Sequence, residues 1–225
     1  MEKLNSLSKK INRIYYFLFK ERFSKKLDIK FDDIKRWDLI QYLHSVYKFN
    51  SYLEIGCDDN QLFSRININE KIGVDPVSGG NYRGKSDEFF LNNEKKFDLI
   101  FIDGLHVYHQ VKKDILNSLK FLKKDGFILV HDCLPRSLSA QAVPRYRSVW
   151  NGDVWKAIVE FRTYQNLEIF TCLADEGISI IQKKDNSQLL KIEKNFTELK
   201  FKDFYYNYNE YMRVINFSEI KKKYK

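Results

Sequence analysis

Residues 97–106 read FDLIFIDGLH, an almost continuous apolar run that ends in polar residues. Three similar runs occupy 52–56, 71–75 and 126–132, and helical patterns lie between them at 60–67 and 108–122. Apolar runs of this length are typical of strands buried on both faces of a parallel sheet. The alternation of strands and helices predicts right-handed βαβ units and a doubly wound α/β sheet.

The remaining segments divide around this core. We expect residues 1–48 to form an N-terminal helical extension, 49–184 the sheet domain, and 185–225 a Tyr- and Lys-rich arm packed on that domain. Residues 167–173 and 177–182 are predicted to pair as an antiparallel hairpin at the sheet edge. The sheet would then be mostly parallel, with seven strands.

The N-terminal extension carries a basic amphipathic pattern over residues 3–27. Its apolar side chains recur at helical spacing, at Leu7, Ile11, Ile14, Leu18 and Phe19. Such a helix could pack on the domain, pack on a second subunit in a homodimer, or lie on a membrane surface. A second helix is expected through 37–46, with Asp32 and Asp33 as its N-terminal cap.

Composition narrows the class of protein. The chain has 225 residues, 44% hydrophobic and 31% charged, which fits one globular domain with a sizeable core. The net charge of +9 favours anionic partners or, more simply, lysines spread over solvated surfaces. The cysteines, Cys57, Cys133 and Cys172, form no disulfide or zinc pattern, which points to a reducing, cytoplasmic compartment. We found no segment long and apolar enough to span a bilayer.

Polar residues gather at the carboxyl ends of the predicted strands, the edge at which ligands bind in open α/β sheets. Gly56 ends the first strand, and a glycine there allows a ligand to approach the backbone closely. Asp75 ends the second strand, where a carboxylate can accept the hydroxyls of a ribose. The sequence therefore predicts an adenosine-containing ligand at this edge.

The loop after Gly56 distinguishes between two such ligands. The pyrophosphate fingerprint G-x-G-x-x-G is missing, because Asp58 and Asn60 follow Gly56. The acidic Asp58 would repel the pyrophosphate of NAD at a helix N-terminus. S-adenosylmethionine (SAM) carries a sulfonium and an ammonium group instead, and acidic side chains suit it. These residues favour SAM as the cofactor, with S-adenosylhomocysteine (SAH) as its product.

Five segments in order resemble the class I SAM-dependent methyltransferases, which have a Rossmann-like fold. Tyr52–Gly56 looks like their first motif and Gly73–Pro76 like their second. Phe97–His106, the helix after it and Asp125–Asp132 are similar to their fourth and fifth strands. More narrowly, IDGLHVYHQVKKDI followed by ILVHDCLP resembles bacterial methyltransferases of sugar, polysaccharide and natural-product pathways. The resemblance covers about residues 50–182.

The resemblance implies roles for individual residues. Those expected to hold the cofactor are Glu54, Gly56, Cys57, Asp75, Pro76, Ser86, Asp87, Asp103, Gly104 and His106. Glu54 and Gly56 would border the methionine part, and Asp75 the ribose. Ser86 and Asp87 would lie near the adenine. The family's usual additional glycines are replaced here by Asp58 and Asn60.

The catalytic candidates are Asp103, His106, His131 and Asp132. Methyl transfer to a hydroxyl needs alignment and removal of a proton, and His106 is the first candidate for the general base. His106 could instead only hydrogen-bond its own loop. Asp103 and Asp132 could share a divalent metal. We expect no metal, because the following position is Cys133, a poor ligand for Mg²⁺.

Residues 133–152 are predicted to form a lid on the acceptor side. The lid carries Arg136, Arg145 and Arg147, and arginine is well suited to carboxylates and phosphates. Trp150 or Trp155 could stack on a sugar or a base. These residues predict an anionic acceptor. The resemblance implies O-methylation of a sugar, of a surface-polysaccharide precursor or of a phosphorylated group on it.

Three alternatives remain open at this stage. The basic charge and the aromatic tail allow a nucleic-acid methyltransferase, although no Asn/Asp-Pro-Pro-Tyr motif for a flipped base occurs. The departures at Asp58 and Asn60 allow a catalytically inactive SAM-binding scaffold. An NAD-dependent sugar enzyme is disfavoured by the missing glycine fingerprint.

Overall fold

A computed structural model describes residues 6–21 and 25–225 of the chain. Its centre is one eight-stranded sheet in the order β3-β2-β1-β4-β5-β7-β6-β8. The strands are β1 Ser51–Ile55, β2 Glu70–Asp75, β3 Tyr82–Arg83, β4 Phe97–Ile102, β5 Leu122–Val130, β6 Glu168–Cys172, β7 Ile178–Gln182 and β8 Val214–Ile215. All neighbouring pairs are parallel except β5–β7 and β6–β7. The predicted Rossmann-like, mostly parallel sheet is confirmed.

Helices cover both faces of the sheet and bury its apolar strands. They are α1 Ser6–Tyr16, α2 Arg36–Tyr47, α3 Ser86–Asn92, α4 Tyr108–Phe121, α5 Val154–Phe161, α6 Phe201–Met212 and α7 Phe217–Lys223. Every residue of β1, β6 and β7 is buried, as expected for strands covered on both sides. The three cysteines are buried and free. No described helix is both long and apolar enough to cross a bilayer.

Helix α2 lies directly before β1, and this order fixes its direction. It ends at Tyr47, close to the amino end of β1, so it begins near the carboxyl ends of the strands. Arg36, its first residue, is therefore placed at the edge where a ligand is expected. The predicted cap at Asp32 and Asp33 is wrong. The helix is capped at Lys35, whose backbone N–H donates to Asp38 at 2.9 Å, and Asp32 instead accepts a hydrogen bond from the backbone of Phe217.

The helix predicted at 60–67 is reduced to a single 3₁₀ turn, Phe63–Arg65. Asp58 and Asn60 both have positive φ values, 44° and 64°, which interrupt a right-handed helix before it can begin. The Asn60 side chain instead accepts a hydrogen bond from the backbone of Gly80 at 2.6 Å. The two loops that follow β1 and β2 are thereby tied together.

The C-terminal arm adds a strand that the sequence patterns did not indicate. β8 pairs in parallel with β6 through Thr171–Val214 and Cys172–Ile215. β8 therefore extends the sheet beyond the hairpin of β6 and β7. With β8 and the two-residue β3, which the patterns also did not indicate, the sheet has eight strands rather than seven. A two-residue strand has no detectable periodicity. The domain boundaries at 48/49 and 184/185 remain a proposal.

At the N-terminus, α1 is followed by a short π-helical turn at Phe17–Glu21. This agrees with the helical pattern over those residues. Residues 3–5 and 22–24 of the predicted helix lie outside the described residues. Its predicted last residues, 25–27, are not helical, so that part of the prediction is wrong.

Candidate active site

Four predicted residues meet at the carboxyl ends of β4 and β5. Asp103 Oδ1 lies 3.1 Å from His106 Nε2 and 3.1 Å from His131 Nδ1. His106 Nδ1 lies 3.1 Å from Asp132 Oδ2. Each imidazole thus has a carboxylate at hydrogen-bonding distance, and the four side chains form one continuous cluster.

Asp132 is held in place by an unusual backbone conformation and by the lid. Its φ is +60°, in the left-handed region that few side-chain-bearing residues occupy. Its Oδ1 accepts a hydrogen bond from Asn151 Nδ2 at 2.9 Å. Strained backbone of this kind is often found at functional sites.

Two further members of the cluster, Arg36 and Asp175, were not predicted. Arg36 Nη1 lies 2.6 Å from Asp103 Oδ2, and Arg36 Nε lies 2.7 Å from Asp175 Oδ2. Asp175 Oδ2 is also 3.5 Å from His131 Nε2. Asp175 reaches the site because the β6–β7 turn lies beside the carboxyl end of β5, where Val130 pairs with Ser179.

The only sequence signal for Arg36 is a basic residue in the first turn of a helix, where the helix dipole disfavours it. The Asp175 carboxylate offsets this unfavourable interaction with the helix dipole, because it also accepts a hydrogen bond from the Arg36 backbone N–H at 3.3 Å. For Asp175 the sequence gives only turn-forming residues before Gly177. Neither signal could have placed these residues in the site, because the contact between them spans 139 residues.

The charges of this cluster balance when both histidines are protonated. Three carboxylates, on Asp103, Asp132 and Asp175, face three cations: the guanidinium of Arg36 and the imidazoliums of His106 and His131. Burial lowers the pKa of each imidazole, but the surrounding carboxylates outweigh it, so the pKa of His106 is raised and that of His131 is raised well above its usual value. Burial raises the pKa of Asp103, but the neighbouring His131 and His106 outweigh that effect and lower it strongly.

On the β1 side, Gly56 is required by contact with the backbone of the next strand. Its φ is +87°, and a Cβ at this position would lie 2.2 Å from the carbonyl oxygen of Asp103. Glycine is therefore the residue that lets the ends of β1 and β4 approach each other. Beside it, Glu54 is buried and accepts a hydrogen bond from the Tyr52 hydroxyl at 2.6 Å. Burial raises the pKa of Glu54 to about 7.

Asp75 organises the two loops that would surround a cofactor. Its Oδ2 accepts the backbone N–H groups of Cys57 and Asp58, each at 3.1 Å. Its Oδ1 accepts those of Val77 and Ser78, at 2.8 and 2.9 Å. A carboxylate has about four acceptor positions. A ribose could hydrogen-bond to Asp75 only by sharing or displacing these amides.

Ser86 and Asp87 begin α3 and face α4. Ser86 Oγ donates to Asp114 at 2.7 Å, and Asp87 forms an ion pair with Lys113 at 2.7 Å. Burial raises the pKa of Asp114 to about 6. Their role beside the adenine remains a proposal, as does that of Pro76, which is exposed.

The lid contacts the cluster through Trp150. The Trp150 ring stacks on the His106 ring, with centroids 5.1 Å apart and planes inclined by 16°. The Arg145 guanidinium lies 5.6 Å from the centroid of the Trp150 ring. The Arg145 guanidinium also donates hydrogen bonds to the carbonyl oxygens of Arg147 and Ser148, at 3.0 and 2.7 Å. Arg136 pairs with Glu176 at 3.1 Å. Trp155 is fully buried, and the expectation that it stacks on an acceptor is wrong.

The chemistry of the donor set fits a cationic cofactor. The carboxyl groups of Glu54, Asp103, Asp132 and Asp175 gather at the strand ends, where their oxygens can accept hydrogen bonds from the ammonium group of SAM. Gly56 and Gly104 let the ends of β1 and β4 approach each other closely.

We expect Asp75→Ala to weaken SAH binding and also to lower the melting temperature of the unliganded protein. The reason is that four backbone N–H groups lose their acceptor. The hydrogen bond from Cys57 is buried, and a buried unpaired group costs about 1–3 kcal/mol. Calorimetric titration with SAH and a thermal melt measure the two effects. Asp59→Ala, in the same loop but exposed, is the matched control. An unchanged melting temperature would show that Asp75 does not stabilise the loops that follow β1 and β2.

The same cluster contains side chains that could hold a metal ion. One ligand atom each from Asp103, His131 and Asp132 lies within 4.8 Å of the others. Asp103, however, is already paired with Arg36 and two imidazoles. A divalent cation would have to displace those partners.

We therefore expect EDTA to change the rate of methyl transfer by less than about twofold, because the cluster neutralises its own carboxylates without a metal. The measurement is the initial rate after chelation, with and without added Mg²⁺. Loss of activity that Mg²⁺ restores would assign these three residues to a metal centre.

Comparisons with known proteins agree with this geometry. A family model described as a methyltransferase domain matches residues 68–133. An SAH-bound methyltransferase from Podospora anserina is 17% identical, covers 67% of this chain and 78% of its own, and has a TM-score of 0.53. A candidate caffeoyl-CoA O-methyltransferase from Staphylococcus aureus is 18% identical, covers 78% and 92%, and has a TM-score of 0.51. No curated protein matches the sequence.

At these identities the two structures establish the fold, and the family model identifies the domain. The sheet order has its switch point between β1 and β4, where the carboxylates and glycines gather. By its fold and by the methyltransferase domain matched at residues 68–133, the chain is similar to the class I SAM-dependent methyltransferases.

Proposed function

We propose that the protein O-methylates a hydroxyl group on an anionic sugar or polysaccharide precursor, with His106 as the general base. The observation that carries the proposal is the position of the His106 ring between Asp103 and Asp132, at the strand end from which methyl groups are transferred in this fold. SAM, when bound, supplies the electrophilic methyl group. The residues of the chain then have to orient the acceptor and remove its proton.

His106 is suited to proton removal from a hydroxyl. When His106 Nε2 carries a proton, it donates a hydrogen bond to Asp103. This hydrogen bond orients the imidazole ring and stabilises the imidazolium that forms. Nδ1 lies between Asp132 Oδ2 and the carbonyl oxygen of Trp150, each 3.1 Å away. To act as a base, one nitrogen has to exchange such a partner for the acceptor hydroxyl. The lid residue Trp150 is the partner best placed to move.

The lid supports an anionic acceptor. Arg145 and Arg147 belong to the segment that contacts His106 through Trp150, and Arg145 lies over the Trp150 ring. Arginine side chains there would attract a phosphate or a carboxylate to the site. The sugar class rests on the resemblance of residues 102–115 and 128–135 to methyltransferases of sugar and polysaccharide pathways.

We expect methyl transfer to rise with pH and to reach half its maximum above pH 6.5. Asp103 and Asp132 raise the pKa of His106, so the neutral base forms only above the usual histidine pKa. The same shift stabilises the folded protein below pH 6.5, and this contribution is lost as pH rises through the folded pKa. Asp132→Asn removes one carboxylate and should move the rate profile to lower pH. An unchanged pH profile would show that Asp132 does not contribute to the raised pKa of His106.

The acceptor is tested with SAM carrying a labelled methyl group and a panel of nucleotide sugars, sugar phosphates and anionic polysaccharides. The matching neutral sugars, RNA and DNA serve as controls. The proposal predicts alkali-stable label in the anionic sugar acceptors and a raised acceptor KM for Arg145→Ala. Label in RNA or DNA, or equal activity on neutral sugars, would contradict it.

A further inference from the structure

The N-terminal helix has one side in contact with the domain and one side exposed. The Tyr16 ring stacks on the Tyr146 ring of the lid, with centroids 4.5 Å apart and planes inclined by 28°. Leu7, Ile11 and Ile14 follow at intervals of four and three residues, so they share a helix face. They are 64%, 58% and 59% exposed.

The exposed apolar surface continues through the π-helical turn. Phe17, Leu18 and Phe19 are 56%, 43% and 66% exposed, and Tyr15 is also exposed. Monomeric soluble proteins rarely expose contiguous apolar surface on this scale, and such surfaces mark interaction sites. The helix is therefore amphipathic, with an unpartnered apolar side among the described residues.

The charges of this segment indicate what covers that side. Residues 6–21 contain four basic side chains and one acidic one, Glu21. Those whose exposure is described, Lys10, Arg13 and Lys20, are exposed. A second copy of the same segment would bring four basic side chains from each copy together, with only Glu21 of each copy as an acidic partner within 6–21. An anionic surface would be attracted instead.

We propose that residues 6–21 lie in the interface of an anionic phospholipid bilayer. The apolar side enters the boundary between headgroups and acyl chains, and the lysines and arginine contact lipid phosphates. Phenylalanine and tyrosine beside lysine suit this boundary. Because Tyr146 belongs to the lid, this binding places the lid next to the headgroups.

The test is co-sedimentation of the whole protein with vesicles of phosphatidylcholine alone or of an equimolar mixture with phosphatidylglycerol. We expect binding to the mixed vesicles only, weakened by high salt. Ile14→Glu should reduce the partition coefficient by about tenfold or more, because an isoleucine no longer enters the lipid. Leu91→Glu is the matched control, since Leu91 on α3 is 84% exposed.

Three results would overturn the proposal. The first is no binding of the wild-type protein to anionic vesicles. The second is equal binding of Ile14→Glu and the wild-type protein, which would exclude the apolar side from the contact. The third is a dimer, detected by light scattering, that Ile14→Glu dissociates while vesicles do not bind; this would assign the surface to a second copy. Circular dichroism of the variants checks that folding is unchanged.

Discussion

His106→Ala is expected to lower kcat by about 10²- to 10⁴-fold while SAH affinity changes little. The imidazole is the group in the cluster that can exchange a proton near neutral pH and that also contacts the lid, through Trp150. Without it the acceptor hydroxyl has to lose its proton to water. The measurements are the steady-state rate with a saturating acceptor and a calorimetric titration with SAH.

Two variants make this result interpretable. His106→Gln retains a polar side chain between Asp103 and Asp132 but cannot act as a base, so it should be as inactive as the alanine variant. His109→Ala is the matched control, because His109 is exposed on the first turn of α4. Full activity of His106→Gln would leave His106 with only a hydrogen-bonding role in its loop.

Gly56→Ala is expected to destabilise the protein by about 3 kcal/mol and to lower its melting temperature by roughly 10 °C. The added Cβ would meet the carbonyl oxygen of Asp103 at 2.2 Å, and the φ of +87° is unfavourable for alanine. Relief requires β1 and β4 to separate at the site. SAH affinity should therefore fall as well. Thermal melts with and without SAH measure both effects.

Gly104→Ala is the control for that experiment. A Cβ on Gly104 would first meet Cγ2 of Ile55, at 3.3 Å, a much milder contact than the 2.2 Å at Gly56, and no positive φ is involved. We expect a change of less than about 1 kcal/mol. Equal destabilisation by the two substitutions would show that close approach at Gly56 is not the cause.

The sheet could be predicted from the sequence because each central strand is a short apolar run between polar ends. FDLIFI at 97–102 is an example, since every residue but Asp98 is buried in β4. Asp103, His106, His131 and Asp132 could be predicted together for the same reason. The carboxyl ends of parallel strands meet at one edge, so residues just after two neighbouring strands become neighbours.

The features that were missed depend on contacts between distant segments or on special backbone conformations. Arg36 and Asp175 meet across the sheet edge, and no local pattern reports such a pair. The helix expected at 60–67 is lost to the left-handed conformations of Asp58 and Asn60. Apolar spacing indicates where a helix would bury its side chains, but it does not detect a loop that is tied down by hydrogen bonds.

A thermal-shift titration with SAH, with NAD as the control, tests the central assignment most directly. A ligand that binds only the folded state raises the melting temperature in a saturable manner. We expect such a shift with SAH and none with NAD. No shift with SAH, or a shift with NAD alone, would contradict a SAM-dependent methyltransferase.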